Sequence, residues 1–432
     1  MKSLAQPTLP STAGLRDVAL RVLEYAERLG LHTYDPSDIK AHPRIARSLQ
    51  SNTVPDRMAR GLCYALLAVS PILGRRALGI TKHAYPHAVS RLAQAYISAA
   101  RFLGRTAYLE KAEALLHWLV GEAVPTPSGI AWTHPVDIIW PTQTIAAGTP
   151  IAHTTMLCVD AFLDFHLAVG APWALDKAQE GARYVVQDLP RMTFDDGRVA
   201  LGYTSVDTTQ FINVSADALR MIVRLTHIAR WTGMRPMCLG LAQFLLANQN
   251  ADGSWYYHAI ADKRHRPFVD NYHTGMVLSG LCHALAFDWE DGAFVVRLRE
   301  SLCKGMDYSL RRLFDADGAA RFSPQDRWPV DGYSCAQGVL TLCDFMRAGG
   351  APADLSEQAE ATLERLVAFT IREMINAEGA CCWRRYGFGR IWLSSLRWPQ
   401  SLMAFALMEC LQGTAVRGGR RTFDECGRET SS

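Results

Sequence analysis

The sequence predicts an all-α protein, an (α/α)6 toroid in which six helical hairpins close into a ring, with short extended segments in the loops. Three observations carry this prediction. Similar helix starts recur six times, about 60–65 residues apart. An amphipathic second helix follows each of the first five starts, its apolar residues spaced by three and four. A glycine turn and an aromatic-bearing segment then lead to the next start.

The first helices open as "PHAVSRLAQAYISAARFLG" from Pro86, "AHTTMLCVDAFLDFHLAVG" from Ala152, "NVSADALRMIVRLTHIARWTG" from Asn213, "YHTGMVLSGLCHALAFDW" from Tyr272, "YSCAQGVLTLCDFMRAGG" from Tyr333 and "RWPQSLMAFALMECLQG" from Arg397. "AYLEKAEALLHWLVGEA" and "SEQAEATLERLVAFTIREM" exemplify the second helices. The turns are "SGIAWTHP", "DDGRVALGYTS", "ADGSWYYHA", "ADGAARFSP" and "AEGACCWRRYG", with aromatics at Trp132, Tyr203, Trp255, Phe322 and Trp383. No hairpin buries its apolar face alone, so the units must stack, and equal spacing lets them close. An open solenoid of the tetratricopeptide kind would show a period near 34 residues and tight turns. The sixth start lacks a second helix downstream, so residues 14–29 or 55–73 are expected to complete it. Residues 1–13 are expected to be disordered, 14–412 to form the toroid, and the polar tail 413–432 to be disordered.

Composition is that of a globular chain: 49% apolar and 20% charged residues rule out a disordered polymer. The net charge of +3 has no long basic block with interleaved aromatics, so no nucleic-acid surface is expected. Eleven cysteines, an odd number with no C-x-x-C pair, fit reduced thiols better than a disulfide framework. The N-terminal 30 residues lack an apolar run of the secretory type. "GLCYALLAVSPILG" from Gly61 is shorter than the roughly 20 residues that a span requires. A cytoplasmic location in a bacterium-like cell and no membrane span are therefore expected.

The segment "FLLANQNADGSWYY" resembles the Q-x-x-D-G-S-W motif of terpene-cyclase and prenyltransferase toroids, at Gln249, Asp252, Gly253, Ser254 and Trp255. In those families the motif ties a helix end to the next loop, so the resemblance implies fold. Their D-x-D-D proton donor is missing from this sequence. The order second helix, "QNADGSWYY", short loop, "FVDNYHTG", small-residue inner helix is similar to (α/α)6 toroids of bacterial polysaccharide and capsule biosynthesis, including glucuronyl 5-epimerase C-terminal domains. That resemblance is good over about residues 200–345 and implies a carbohydrate substrate, often a uronic acid polymer. It also implies association with a membrane-bound polysaccharide assembly complex.

Candidate chemistry concentrates in "RPFVDNYHTGMVLSGL", residues 266–281. Asp270, Asn271, Tyr272 and His273 stand in a row at a helix start, and His273, Met276, Val277, Gly280 and Leu281 share one helix face. Asp270 or Asn271 has a structural role open to it as an N-cap, and His273 as a core histidine. The functional reading gains from the other starts, which bring His87, His153, Asn213, Tyr333 with Gln337, and Arg397 with Gln400 to the same end of the ring. Polar residues at such repeated positions suit a substrate-lined cavity. "YYHAIADKRHRPFV" adds Tyr257, His258, Lys263, Arg264, His265 and Arg266, and "CCWRRYGFGR" adds Arg384 and Arg385; either cluster suits a carboxylate or phosphate. Trp132, Tyr203, Trp255, Tyr256 and Tyr257 are candidate sugar platforms; Trp132, Trp255 and Trp383, which recur in register, equally suit wedges between hairpins.

Two chemistries fit. Epimerisation or β-elimination at a uronic acid needs a base, an acid and a cation for the enolate: His273, Tyr272, and Arg264 or Arg266. Hydrolysis needs two carboxyl groups, Asp270 with Asp137, Asp207, Asp217 or Asp331. No metal is expected, because no H-E-x-x-H or chelate spacing occurs, and no cofactor, because phosphate-loop and dinucleotide fingerprints are missing. The reading is thus a carbohydrate-active enzyme of surface polysaccharide biosynthesis, epimerase- or lyase-like. The alternatives are a non-catalytic glycan-binding or scaffold subunit, a glycoside hydrolase, and a terpene-cyclase-like enzyme.

Overall fold

The computed structural model describes residues 11–50, 53–140, 143–259 and 267–426. The chain starts with α1 (Thr12–Leu29), followed by four short helices, α2 (Asp38–Ala41), α3 (Pro43–Gln50), α4 (Val54–Val69) and α5 (Pro71–Ala77). It then alternates: α6 (Pro86–Leu103), α7 (Ala107–Glu122), α8 (Ala152–Val169), α9 (Pro172–Arg183), α10 (Ile212–Ala229) and α11 (Arg235–Ala247). The series continues with α12 (Asn271–Ala284), α13 (Gly292–Arg312), α14 (Gly332–Ala348), α15 (Ala353–Phe369) and α16 (Ser401–Cys426). The expected disordered residues 1–10 and 427–432 lie outside the described residues, and α16 runs on into the segment beyond 412 that the sequence assigns to a tail.

Small and apolar residues on all sides make the even-numbered helices from α6 onward the inner layer. Fifteen of the 18 residues of α6 are buried, against three of 16 in α7, whose polar face meets solvent. Each inner helix packs on the next, and α16 packs on α6, which closes the ring. The outer helices α7, α9, α11, α13 and α15 each back the inner helix before them. Two-stranded ribbons such as Val124–Pro125 with Ile130–Ala131, and Arg191–Thr193 with Val199–Leu201, lie in the connections to the next inner helix.

The sixth outer position is taken by α1, which packs on α16. A repeated turn shows the equivalence. Gly253, Gly318 and Gly379 have φ of 98°, 90° and 92°, a region that favours glycine. A Cβ on each would lie 2.5, 2.1 and 2.2 Å from a carbonyl of the neighbouring outer helix: Lys304 of α13, Arg365 of α15 and Arg21 of α1. Gln249 secures the first of these turns, donating to Gly253 O at 3.0 Å and to Ser301 O of α13 at 2.9 Å. Gln400 does the same in the last unit, reaching Gly379 O and Val22 O at 2.8 Å each.

Residues 55–73 do not complete the ring. They form α4 and the start of α5 in an insertion, α2–α5, whose own small core is Ile39 and Ile45 against Leu49, Leu78 and Ile80. No helix of the described residues is long and apolar enough to cross a membrane.

Candidate active site at the mouth of the ring

The inner helices all run in one sense, so their N-terminal ends and the loops before them share one mouth. There His153 Nδ1 lies 2.9 Å from Asp217 Oδ2, linking α8 to α10. Burial alone would raise the Asp217 carboxyl, but the His153 hydrogen bond and the charges of Arg220 and Arg91 outweigh it and hold it below the usual carboxylate range. The ionised acid makes Nδ1 the protonated nitrogen of His153 and leaves Nε2 to accept a proton. Burial also keeps the His153 imidazole neutral at ordinary pH, outweighing Asp217, with the charge of Arg91 pushing the same way.

A second imidazole–carboxylate pair sits on α12. Asp270 accepts the His273 backbone N–H at 2.8 Å with Oδ1 and contacts His273 Nδ1 at 2.6 Å with Oδ2. One carboxylate thus caps the helix and orients the ring. The His273 side chain is 28% exposed, which leaves it open to the mouth.

Between these pairs lies a cluster of packed rings. Tyr272 and Tyr333 have ring centroids 4.4 Å apart, and Tyr333 hydrogen-bonds through its hydroxyl to His87 Nε2. Burial raises both phenols above their ordinary value, so they stay protonated. Burial, the neighbouring His153 and the charges of Arg397 and Arg91 keep His87 neutral. The His87 and His153 rings meet edge on at 5.2 Å.

Aromatic walls flank these groups. Trp398 stacks on Tyr333 at 3.8 Å, and on the other side Tyr257 lies 4.1 Å from His273 and 4.9 Å from Phe211, with Tyr203 and Trp140 behind. Arg397 is held by Asp35 at 2.7 and 2.8 Å, and Asp35 is lowered to about 2 because Arg397 overcomes the cost of its burial. Arg384 pairs with Asp331 at 3.2 Å, and Asp331 also accepts the Trp398 indole N–H at 2.9 Å.

Below the mouth, a cavity of about 200 Å³ follows the ring axis, lined by Arg91, Arg101, Arg220, Arg224 and Arg347 and by Asp164, Asp217, Asp344 and Glu409. Arg220, Arg224 and Arg347 are paired with carboxylates. Arg91, one helical turn below His87, instead donates to Gln94 Oε1 at 2.8 Å, and its Nε is buried without a hydrogen-bond partner.

Of the residues expected from sequence, His87, His153, Tyr272, His273 and Tyr333 come together, with Asp270 beside them and Tyr257 in the wall. Others are engaged in the fold. Asn271 donates to Leu313 O at 2.6 Å, Gln337 to Thr341 Oγ1 at 3.1 Å while lining the axial cavity, and His258 is buried in a bridge with Phe211. Asn213 is buried with Nδ2 3.9 Å from Met276 Sδ. Trp132 and Trp255 are wedges, not platforms: each is buried and donates its indole N–H to an outer-helix carbonyl, Leu119 and Leu245, at 2.7 and 2.9 Å. Lys263, Arg264, His265 and Arg266 lie outside the described residues. Arg91 and Asp35 escaped the sequence reading; the spacing of four between His87 and Arg91 was the available signal for the first.

No protein-family model matches the chain, and no curated protein sequence matches it. Among solved structures it is similar to cellobiose 2-epimerase from Bacillus thermoamylovorans B4167, at 11% identity over 77% of this chain and 90% of that one, with a TM-score of 0.58. An inactive variant of the α-1,6-mannanase GH76A of Salegentibacter sp. HEL1_6, in complex with α-1,6-mannotriose, gives 10%, 92%, 99% and 0.62. A glycosyl hydrolase family 88 protein from Bacteroides vulgatus gives 10%, 94%, 99% and 0.58. At these identities the likeness shows the (α/α)6 toroid fold alone.

Proposed function

We propose that this chain is a carbohydrate-active enzyme that abstracts a proton from a sugar carbon, epimerase- or lyase-like, on a uronic acid-type unit in the synthesis or modification of a surface polysaccharide. The observation that carries the reading is the pair of imidazole–carboxylate couples, His153–Asp217 and His273–Asp270, within electrostatic reach of each other at one mouth. A neutral imidazole held in one tautomer by a carboxylate is a general base at ordinary pH.

His273 takes the proton next to the sugar carboxylate, with Asp270 as its positioning residue. The electron pair moves into the carboxyl group as an enediolate, and the positive charge of Arg91, which lines the cavity below the mouth, favours that charge. In epimerisation His153, the second imidazole, takes a proton from solvent water on its free Nε2 and delivers it to the opposite face of the carbon, its Nδ1–H staying on Asp217. In elimination Tyr272, a phenol kept protonated by burial, protonates the departing glycosidic oxygen. The neighbouring structures named above support a sugar substrate, since their own names are those of sugar epimerases and glycoside hydrolases. The charged axial cavity does not suit an isoprenoid. Hydrolysis fares less well because Asp270 is committed through both oxygens to His273 and Asp217 to His153 and Arg220.

The test is turnover on a panel of uronic acid-containing and neutral oligosaccharides. His273→Ala and Tyr272→Phe are expected to lower it by about 10²–10⁴-fold, with binding kept within about tenfold. Unchanged turnover in both variants sinks the assignment, and binding without turnover in the native protein favours a scaffold role.

A further inference from the structure

The α2–α5 insertion plays no part in closing the ring, yet it carries the chain's charge. Residues 38–77 contain seven Lys or Arg and two Asp, a net of +5 in a chain whose total is +3, so the remainder is −2. One ion pair, Arg75 with Asp38 at 2.9 Å, is buried inside the insertion, while Lys40, Arg47, Arg57 and Arg76 are exposed. On α4 the residues Val54, Met58, Leu62 and Ala65 recur on one helix face, and all four are exposed. Met58 and Leu62 are 71% and 74% exposed, and Leu73 on α5 is 66% exposed. Arg47 and Arg57 are exposed on α3 and α4. A solvent-facing apolar stripe on a strongly basic body is the pattern of a helix lying in the interface of an anionic bilayer, with the apolar side chains reaching the acyl boundary and the cations at the headgroups.

We propose that α4 and α5 dock this protein onto an anionic membrane surface. A protein partner is a weaker match, because a basic rim around a narrow apolar stripe needs a diffuse negative surface more than a shaped pocket. The docking also has a direction. Asp35, at the root of the insertion, receives Arg75 on its carbonyl at 3.0 Å and pairs through its carboxylate with Arg397 at the mouth. The insertion therefore stands at the mouth end of the ring, and docking brings that end toward the bilayer. The proposal does not depend on which sugar chemistry the mouth performs.

Flotation of the full chain with phosphatidylcholine vesicles, with and without about a third phosphatidylglycerol, tests it. Binding is expected only to the anionic vesicles and falls as salt is raised. Met58→Glu with Leu62→Glu is expected to weaken binding at least about tenfold, and Arg47→Glu with Arg57→Glu to do likewise, each with unchanged thermal melting. No binding by the native chain, or binding indifferent to the charge reversal and to salt, overturns the proposal. So does a self-associated species, seen by light scattering, that Met58→Glu with Leu62→Glu disperses in the absence of vesicle binding.

Discussion

His153 on α8 and Asp217 on α10 meet at 2.9 Å across the interface between neighbouring hairpins. The bond exists only because the ring places the first turn of one inner helix beside the second turn of the next. It fixes the imidazole tautomer in the way that a second carboxylate, Asp270, fixes His273 within α12. The mouth thus holds two oriented bases of the same construction, one reaching between helices and one local.

Asp217→Asn keeps the shape of the acceptor and removes its charge. Turnover is expected to fall by about 10²-fold or more, while Arg220 keeps its second partner, Asp160, at 2.6 Å. Steady-state kinetics with a thermal melt as the folding control checks this; equal turnover would mean that His153 is only structural.

Asp270 has two duties that substitution separates. Asp270→Ala loses the cap, costing about 1 kcal/mol of stability, and also loses the imidazole's acceptor. Asp270→Ser keeps a side chain that caps and so stays near the native stability, yet turnover falls as far as in the alanine variant. Chemical denaturation and kcat, measured on both, distinguish the two duties.

Acid should weaken the fold through His134. Burial first, and then the charge of Arg397, lowers it from 6.5 to about 4. The unfolded chain therefore takes up a proton near pH 6.5 that the folded chain refuses until about pH 4, so its contribution is full above 6.5 and is lost as pH falls toward 4. The linkage amounts to about 3 kcal/mol over that interval. Asp38, raised to about 6 because its burial outweighs Arg75, acts in the opposite sense. The difference in stability between the native chain and His134→Gln, followed from pH 7 to 4, isolates the histidine and should shrink on acidification.

Gly379→Ala tests how the ring is completed. At φ 92°, with a Cβ placed 2.2 Å from Arg21 O, alanine forces α1 away from the last turn. A loss of about 1–3 kcal/mol is expected, similar to that of Gly253→Ala. Thermal or urea unfolding reads it, and a neutral effect would mean that α1 is not an integral sixth outer helix.

The hairpins were legible because each inner helix is dense in small apolar residues and each outer one is amphipathic. The choice between 14–29 and 55–73 as the missing helix was not, since both are amphipathic and they are separated by tertiary contacts: α1 packs on α16, and Gly379 and Gln400 meet it at Arg21 and Val22. At the mouth, His87, His153, Tyr272, His273 and Tyr333 could be read from their shared register at helix starts. Asn271, Gln337 and Gln400 share that register but satisfy carbonyls or hydroxyls of the fold, a distinction that residue type does not carry. Arg91 was hidden because an arginine inside a helix ordinarily reads as a solvent-facing residue, and here the ring turns that face toward its axis.

The most direct test of proton abstraction by the two imidazoles is deuterium incorporation into the sugar, followed by NMR during turnover in heavy water. The native chain is expected to place solvent deuterium at the carbon next to the carboxylate in epimerised product, or to exchange it from substrate ahead of elimination. His153→Gln and His273→Gln should each suppress the label along with turnover. Saturated product formed by hydrolytic cleavage with no label at that carbon, or labelling that survives both substitutions, would contradict the account.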